Sequence, residues 1–283
     1  MQSAPLEARV GNIEYIPGPL LSAHSRIVPG TEQHAHEIMA LRESKPEFKN
    51  KWVWTADFSM YKKEGEDAFL YFAPRGHNLI FRDIENATNQ LIRAGNYIPS
   101  KKGIDEVVAS AAAGKTLKIR ISDLQLVKDN PSDAYGHFDV DPNNLDALNP
   151  DQRSFVEAIY GDSKPGNRVY VLTSDYVKNE LRGKEDSAIA RASRLGGAGG
   201  GSRFGADGRG VGSADFGLLG VLKEAPKAPQ KIEGTAAPIS SNAQYTPEGI
   251  LNYLATNPIR DEKLAAALLN HANIFYQSKA PKA

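Results

Sequence analysis

Residues 51–61 alternate with period two, placing Trp52, Trp54, Ala56, Phe58 and Met60 on one face and Val53, Thr55, Asp57, Ser59 and Tyr61 on the other. Polar residues 62–67, with Gly65 among them, separate this run from a second apolar run at 68–73, and the pair predicts a β-hairpin. Further strands are expected over 10–16 (closed by Pro17-Gly18-Pro19), 115–127, 168–173 and 216–222. In 115–127, Leu117, Ile119 and Ile121 point one way, and Lys118, Arg120 and Ser122 the other.

Helical signals interleave with these. Thr31 is expected to cap a helix running to about Glu43, with Glu32 in its first turn. Asp83 is expected to cap a helix carrying Ile84, Ala87, Leu91 and Ile92 and stopping at Gly95; another runs from about Ile104 to Ala113 and stops at Gly114. After an acidic loop, Asn149 as cap, Pro150 as first residue and Gln152 as the capping-box partner mark a helix that ends at Gly161. Ser174 is expected to cap a further helix, with helical character continuing to about Arg194.

Composition then changes. Residues 196–217 are more than one-third glycine and read as a flexible loop, and residues 223–245 are a Pro/Ala/Ser linker spanning about 25 Å as a coil. Two helices follow over 246–283, the second with Leu264, Leu268, His271 and Phe275 in one stripe. The expected plan is α+β. An antiparallel-rich sheet with packed helices fills a main domain over 1–222, and a tether carries a C-terminal helical hairpin. Two helices bury too little surface to stand alone, so the hairpin must dock on the main domain or on a partner.

With 34 basic and 34 acidic residues the chain exerts no global pull on nucleic acid or anionic membrane, so any such binding needs a local patch. The absence of cysteine removes disulfides, thiolate metal sites and cysteine nucleophiles. No signal peptide or membrane-spanning run is visible, which makes cytoplasmic synthesis the expectation. Charge is unevenly laid out: a net of −7 over 123–162 faces a net of +4 over 178–231. Opposed blocks permit head-to-tail self-association, and equally permit neutralisation within one chain.

Candidate chemistry is sparse. Ala113-Gly114-Lys115-Thr116 resembles the end of a phosphate-binding P-loop, but position 109 is alanine where that motif has glycine, and the order helix–glycine–strand is the wrong one. Pro29 to His36, with His34 and His36, resembles the first metal-binding motif of cupins, without the rest of that motif. Two histidines two apart on a helix point about 200° apart, which predicts a structural or surface role for both. Asp139, Asp141, Asn143 and Asp146 supply oxygens as a Ca²⁺ loop does, yet Pro150 stands at the twelfth position; the alternative is an Asp/Asn turn. Neither Gly-x-Ser-x-Gly nor His-Glu-x-x-His occurs, which lowers the expectation of an enzyme.

Arg191, Arg194, Arg203, Phe204 and Arg209 gather arginine and an aromatic ring around the glycine-rich stretch, a composition suited to anionic ligands and single-stranded nucleic acid. The Trp52/Trp54/Phe58 face would serve as a stacking platform, or simply as core. The leading expectation is a non-enzymatic assembly protein, of the kind that forms a subunit of a larger homo-oligomeric particle, contacting copies or partners through the glycine-rich loop and the hairpin. Single-stranded nucleic-acid binding is the alternative, and an enzyme without a visible motif the third.

Overall fold

A computed structural model describes residues 13–73, 78–196, 203–206, 208 and 211–223, all in the first of the chain's two units, Met1–Glu224. From Glu224 onward the expected linker and hairpin lie outside the described residues, as do Arg209 and residues 197–202 of the glycine-rich stretch.

In chain order the elements are β1 (Ile13–Pro17), α1 (Leu20–Ser25), α2 (Ala35–Ser44), β2 (Trp52–Glu64), β3 (Asp67–Ala73), α3 (Leu79–Arg82), α4 (Ile84–Ala94), α5 (Lys101–Ala112), β4 (Leu117–Arg120), β5 (Tyr135–Asp139), α6 (Pro150–Tyr160), β6 (Arg168–Leu172), α7 (Ser174–Glu180), β7 (Ala188–Gly196), β8 (Arg203–Gly205) and β9 (Phe216–Val221). One sheet runs β1-β9-β2-β7-β8-β6-β5, with β3 branching from β2 and β4 from β3. The sheet is mixed rather than antiparallel-rich, because β9 joins β2 in parallel and β8 joins β6 in parallel. Hairpin statistics along the sequence miss both joins, since each pairs strands far apart in the chain.

The expected hairpin is β2–β3, turning at Gly65 with φ 59°. β2 is long enough to serve several neighbours, and its register on β7 shifts between Trp54 and Phe58. The bulge this creates carries Asp57, fully buried, whose carboxylate accepts hydrogen bonds from the Ala35 backbone N–H (2.9 Å) and the His34 ring (3.0 Å). A bulge that re-aims one side chain thus pins the start of α2.

Helices cover both faces, and strand alternation sorts the core in two. Val53, Tyr61, Phe72, Val169, Val171, Leu195 and Phe204 pack with Ile38 and Leu41 of α2, Phe155 and Ile159 of α6 and Val177 of α7. On the other face Trp54, Phe58, Met60, Tyr71, Ala188, Ala190 and Ala192 pack with Leu20 of α1, Leu79 of α3, Leu91 of α4 and Val107 of α5. Among the described residues this second core takes no side chain from β5, β6 or β8. Among the described residues, that end of the sheet face lies outside the second core.

Several local expectations change. Helical character past Ser174 stops at Glu180, and 188–196 form β7, because alanines that favour a helix in isolation lie on the sheet between large apolar neighbours. The cap of α7 is Thr173, whose hydroxyl accepts from the Tyr176 N–H. Thr31 instead staples its loop to β9 by accepting from the Val221 N–H, and His34 takes the cap position of α2. The strand expected over 115–127 ends at Arg120 in a 3₁₀ turn, Ile121–Leu124, and the acidic loop conceals β5. α6 forms with the expected Asn149–Gln152 capping box, and Gly95 (φ 72°) and Gly114 (φ 69°) end α4 and α5 in left-handed conformation.

Tyr97 bridges to Ala190 of β7 through its backbone, and its phenol donates to Asp83 at 3.1 Å. Burial first, then that hydrogen bond, push the phenol up to about 12 from 10.0. The folded chain therefore keeps this proton when the unfolded chain has lost it. This stability is present below pH 10 and is expected to drain as pH rises from about 10 to 12; over that window the urea midpoint should fall less steeply in Tyr97→Phe than in the wild type, with Tyr15, Tyr71 and Tyr160, also raised, keeping a residual slope in both.

Candidate functional site

The open end of the sheet face is built by register. Across β5, β6, β8, β7 and β2, one row aligns His137, Tyr170, Gly205, Arg194 and Trp54. The next row aligns Asp139, Arg168, Arg203 and Gly196, with Trp52 one position along β2 from Val53. Side chains at alternate positions share a face, so Tyr135, Tyr170, Arg168, Arg203, Arg194 and Trp52 rise on the same side.

Trp52, Asp129, Tyr135, Tyr170, Arg194, Arg203 and Gly205 line a cleft of about 180 Å³. The Arg194 guanidinium lies over the rings of Trp52 and Phe216, 5.7 and 5.6 Å from their centroids. Tyr170 sits between Tyr135 and His137, with ring centroids 5.9 and 5.4 Å away. Arg168 donates from Nε to Asp139 at 2.6 Å and from Nη1 to the Tyr170 hydroxyl at 3.5 Å. Hydrogen bonds to Tyr170 and Asp139 hold this guanidinium above its ordinary range, so it is a fixed cation at the rim.

Gly205 leaves a gap between Tyr170 and Arg194. The two flanking strands lie two spacings apart, roughly 10 Å, about the room that one planar ring needs between two stacking partners. Gly196 shapes the neighbouring position: a Cβ there would stand 2.7 Å from Trp52 Cζ3, so the indole lies directly over glycine backbone. From beneath, buried Arg42 of α2 donates to the carbonyls of Gly196 (3.1 Å) and Lys51 (2.6 Å), tying the end of β7 to the start of β2. Burial lowers its guanidinium to about 10, still cationic at neutral pH. Tyr61 donates to the Ala206 carbonyl at 2.8 Å and fixes the end of β8.

The sequence-expected contact residues separate accordingly. Arg194 and Arg203 come together in the cleft with Trp52. Phe204 alternates with Arg203 and points the other way, where it is fully buried against Phe72, Phe155 and Tyr160; it is core and not a contact residue. Arg191 is likewise on the face of β7 opposite Arg194, buried, and donates to Asn96 (2.8 Å) and Tyr176 (3.1 Å). Trp54 and Phe58 are fully buried, so only Trp52 of that stripe reaches the cleft. Tyr135, Tyr170 and Asp129 also line the cleft, and sequence pattern alone does not single them out. The alternation Arg168-Val-Tyr170-Val was available as a signal for Tyr170, whereas nothing in the acidic loop marks Tyr135.

The calcium expectation finds little support. Asp139 is held by Arg168 and Asp146 by Arg153 at 2.6 Å each, and Asp141 accepts from the Asn143 N–H in a local turn. No group of three or more His, Asp or Glu side chains among the described residues could hold a metal ion. His34 and His36 do come together, with stacked rings 5.8 Å apart, because His34 precedes α2 in extended conformation rather than lying on it. His34 serves Asp57 and the helix start. No described helix is long and apolar enough to cross a membrane.

Neither protein-family models nor curated proteins match this chain. A solved structure described as "Accommodation of massive sequence variation in Nanoarchaeota by the C-type lectin fold" aligns with 74% of this chain and 93% of its own, at 11% identity and a TM-score of 0.42, a likeness too slight to carry an argument.

Proposed function

We propose that this chain is a non-enzymatic binding protein whose open sheet face takes single-stranded nucleic acid. The observation that carries the reading is the convergence of Trp52, Tyr135 and Tyr170 with Arg194 and Arg203 around the gap at Gly205. Flat aromatic surfaces accept bases of any sequence at about 1–3 kcal/mol each, and neighbouring guanidinium groups answer the phosphates. A side-chain-free floor admits a base between Tyr170 and Arg194. The chain's zero net charge is compatible with this, because the cations needed are local.

Fluorescence anisotropy of a labelled 12-nucleotide single strand tests it. Binding at 50 mM salt that weakens at 200 mM is expected, with a log–log slope near −0.7 per phosphate contacted. Because few arginines line the cleft, the slope should be shallow, about −1 to −2. A duplex of the same sequence should bind more weakly, since its bases are already stacked. Absence of single-strand binding at 50 mM salt and micromolar protein would refute the reading.

Self-assembly through the opposed charge blocks is the second reading. Its support is the imbalance of −7 over 123–162 against +4 over 178–231. Part of this imbalance is already answered within the chain, since Asp139 pairs with Arg168, which lies outside the acidic block; this favours the nucleic-acid reading. Light scattering on the full chain at low and at high salt separates the two: an oligomer that dissociates in high salt belongs to assembly through the charge blocks, and a monomer at both salts refutes it.

A further inference from the structure

Resting on the nucleic-acid reading, we infer that the cleft selects guanine, through the carboxylate of Asp129. Asp129 lines the same cleft as Arg194 and Arg203. An ionised carboxylate only accepts hydrogen bonds and repels phosphate. Beside a phosphate-binding pair of arginines, its favourable partner is therefore the donor-bearing edge of a base. Guanine presents two adjacent donors on one edge, N1–H and the N2 amine, which match the two carboxylate oxygens. Adenine and cytosine offer one amine next to an acceptor nitrogen, and thymine one N–H between two carbonyls.

The position of Asp129 is set by the fold. Val127, two residues earlier, exchanges backbone hydrogen bonds of 2.8 Å in both directions with His137 of β5. The His137 imidazole is 5% exposed and lies against Tyr170, with its Nδ1 lacking a hydrogen-bond partner and 3.8 Å from the Asp129 carboxylate. A buried polar atom without a partner is costly. Here it sits within a small movement of a carboxylate, at the edge of the slot where the base would stack. Closing that distance when a base engages Asp129 satisfies the imidazole and holds the carboxylate against the base edge.

Competition titrations on the full chain test this, using thymidine 11-mers that carry guanine, hypoxanthine, adenine or cytosine at the central position. The guanine strand is expected to bind roughly tenfold tighter than the adenine or cytosine strands, since a hydrogen bond to a charged group is lost in each. Hypoxanthine lacks the N2 amine and should fall between. Asp129→Asn, at an exposed loop position, should bring guanine level with adenine. Equal affinity for all four central bases would overturn guanine selection and leave single-strand binding standing. No binding of any strand would overturn both.

Discussion

Phe204→Ala is expected to lower the unfolding free energy by about 3–5 kcal/mol, the usual loss for truncating a buried phenylalanine. Phe204 is 0% exposed, and its ring meets the edges of Phe72, Phe155 and Tyr160 at centroid distances of 5.8, 6.4 and 6.5 Å. It therefore joins two strands and α6, and a cavity at that junction has little room to collapse. Urea denaturation should show a lower midpoint with an unchanged slope, and Phe204→Leu should recover more than half of the loss. At low urea the folded Phe204→Leu protein should retain wild-type affinity for single strands. Loss of binding with full stability would mean that this ring faces ligand.

The second large effect is on binding. Arg194→Ala with Arg203→Ala is expected to weaken single-strand affinity by roughly 100-fold at 50 mM salt, about tenfold for each charge-assisted contact removed. The salt slope should flatten by about 1.4, two phosphate contacts at about 0.7 each. Stability should change little, because Arg203 is exposed and Arg194 contributes a partly exposed cation–π contact worth about 0.5–1 kcal/mol. Arg191→Ala makes the contrasting control. That arginine is buried on the opposite face and tied to Asn96 and Tyr176, so its loss should destabilise the fold while leaving the salt slope as it was. If Arg191→Ala flattened the slope and the cleft pair did not, the interface would lie elsewhere.

How far the sequence announces this arrangement depends on the range of the forces involved. The β2–β3 hairpin and α6 were legible because their signals are local: a period-two run with a turn glycine, and a capping box beside proline. β7 was not. Its Ala-Ile-Ala-Arg-Ala-Ser-Arg sequence has the local preference of a helix, and only packing on β2 and β8 makes it a strand. A helical assignment there conceals the alternation that sends Arg191 and Arg194 to opposite faces. The same blindness put Phe204 beside Arg203 as a contact, although neighbours on a strand always part. Of the arginines around the glycine-rich stretch, Arg194 and Arg203 line one cleft with Trp52 of the 51–61 run, whereas Arg191 is buried on the opposite face. The tyrosines that complete the cleft arrive through β5 and β6, from pairings that no single-sequence pattern displays.

Intrinsic tryptophan fluorescence tests the central claim most directly, because of the two tryptophans one lines the cleft and the other is buried in the core. Titrating an unlabelled thymidine 12-mer into the protein should quench a substantial fraction of the emission at 50 mM salt and release it at high salt. The same titration of Trp52→Phe should leave the remaining Trp54 emission nearly unchanged while anisotropy still reports weakened binding. Quenching that survives intact in Trp52→Phe, or strand binding that leaves wild-type emission untouched, would contradict a base stacked on the open face of this sheet.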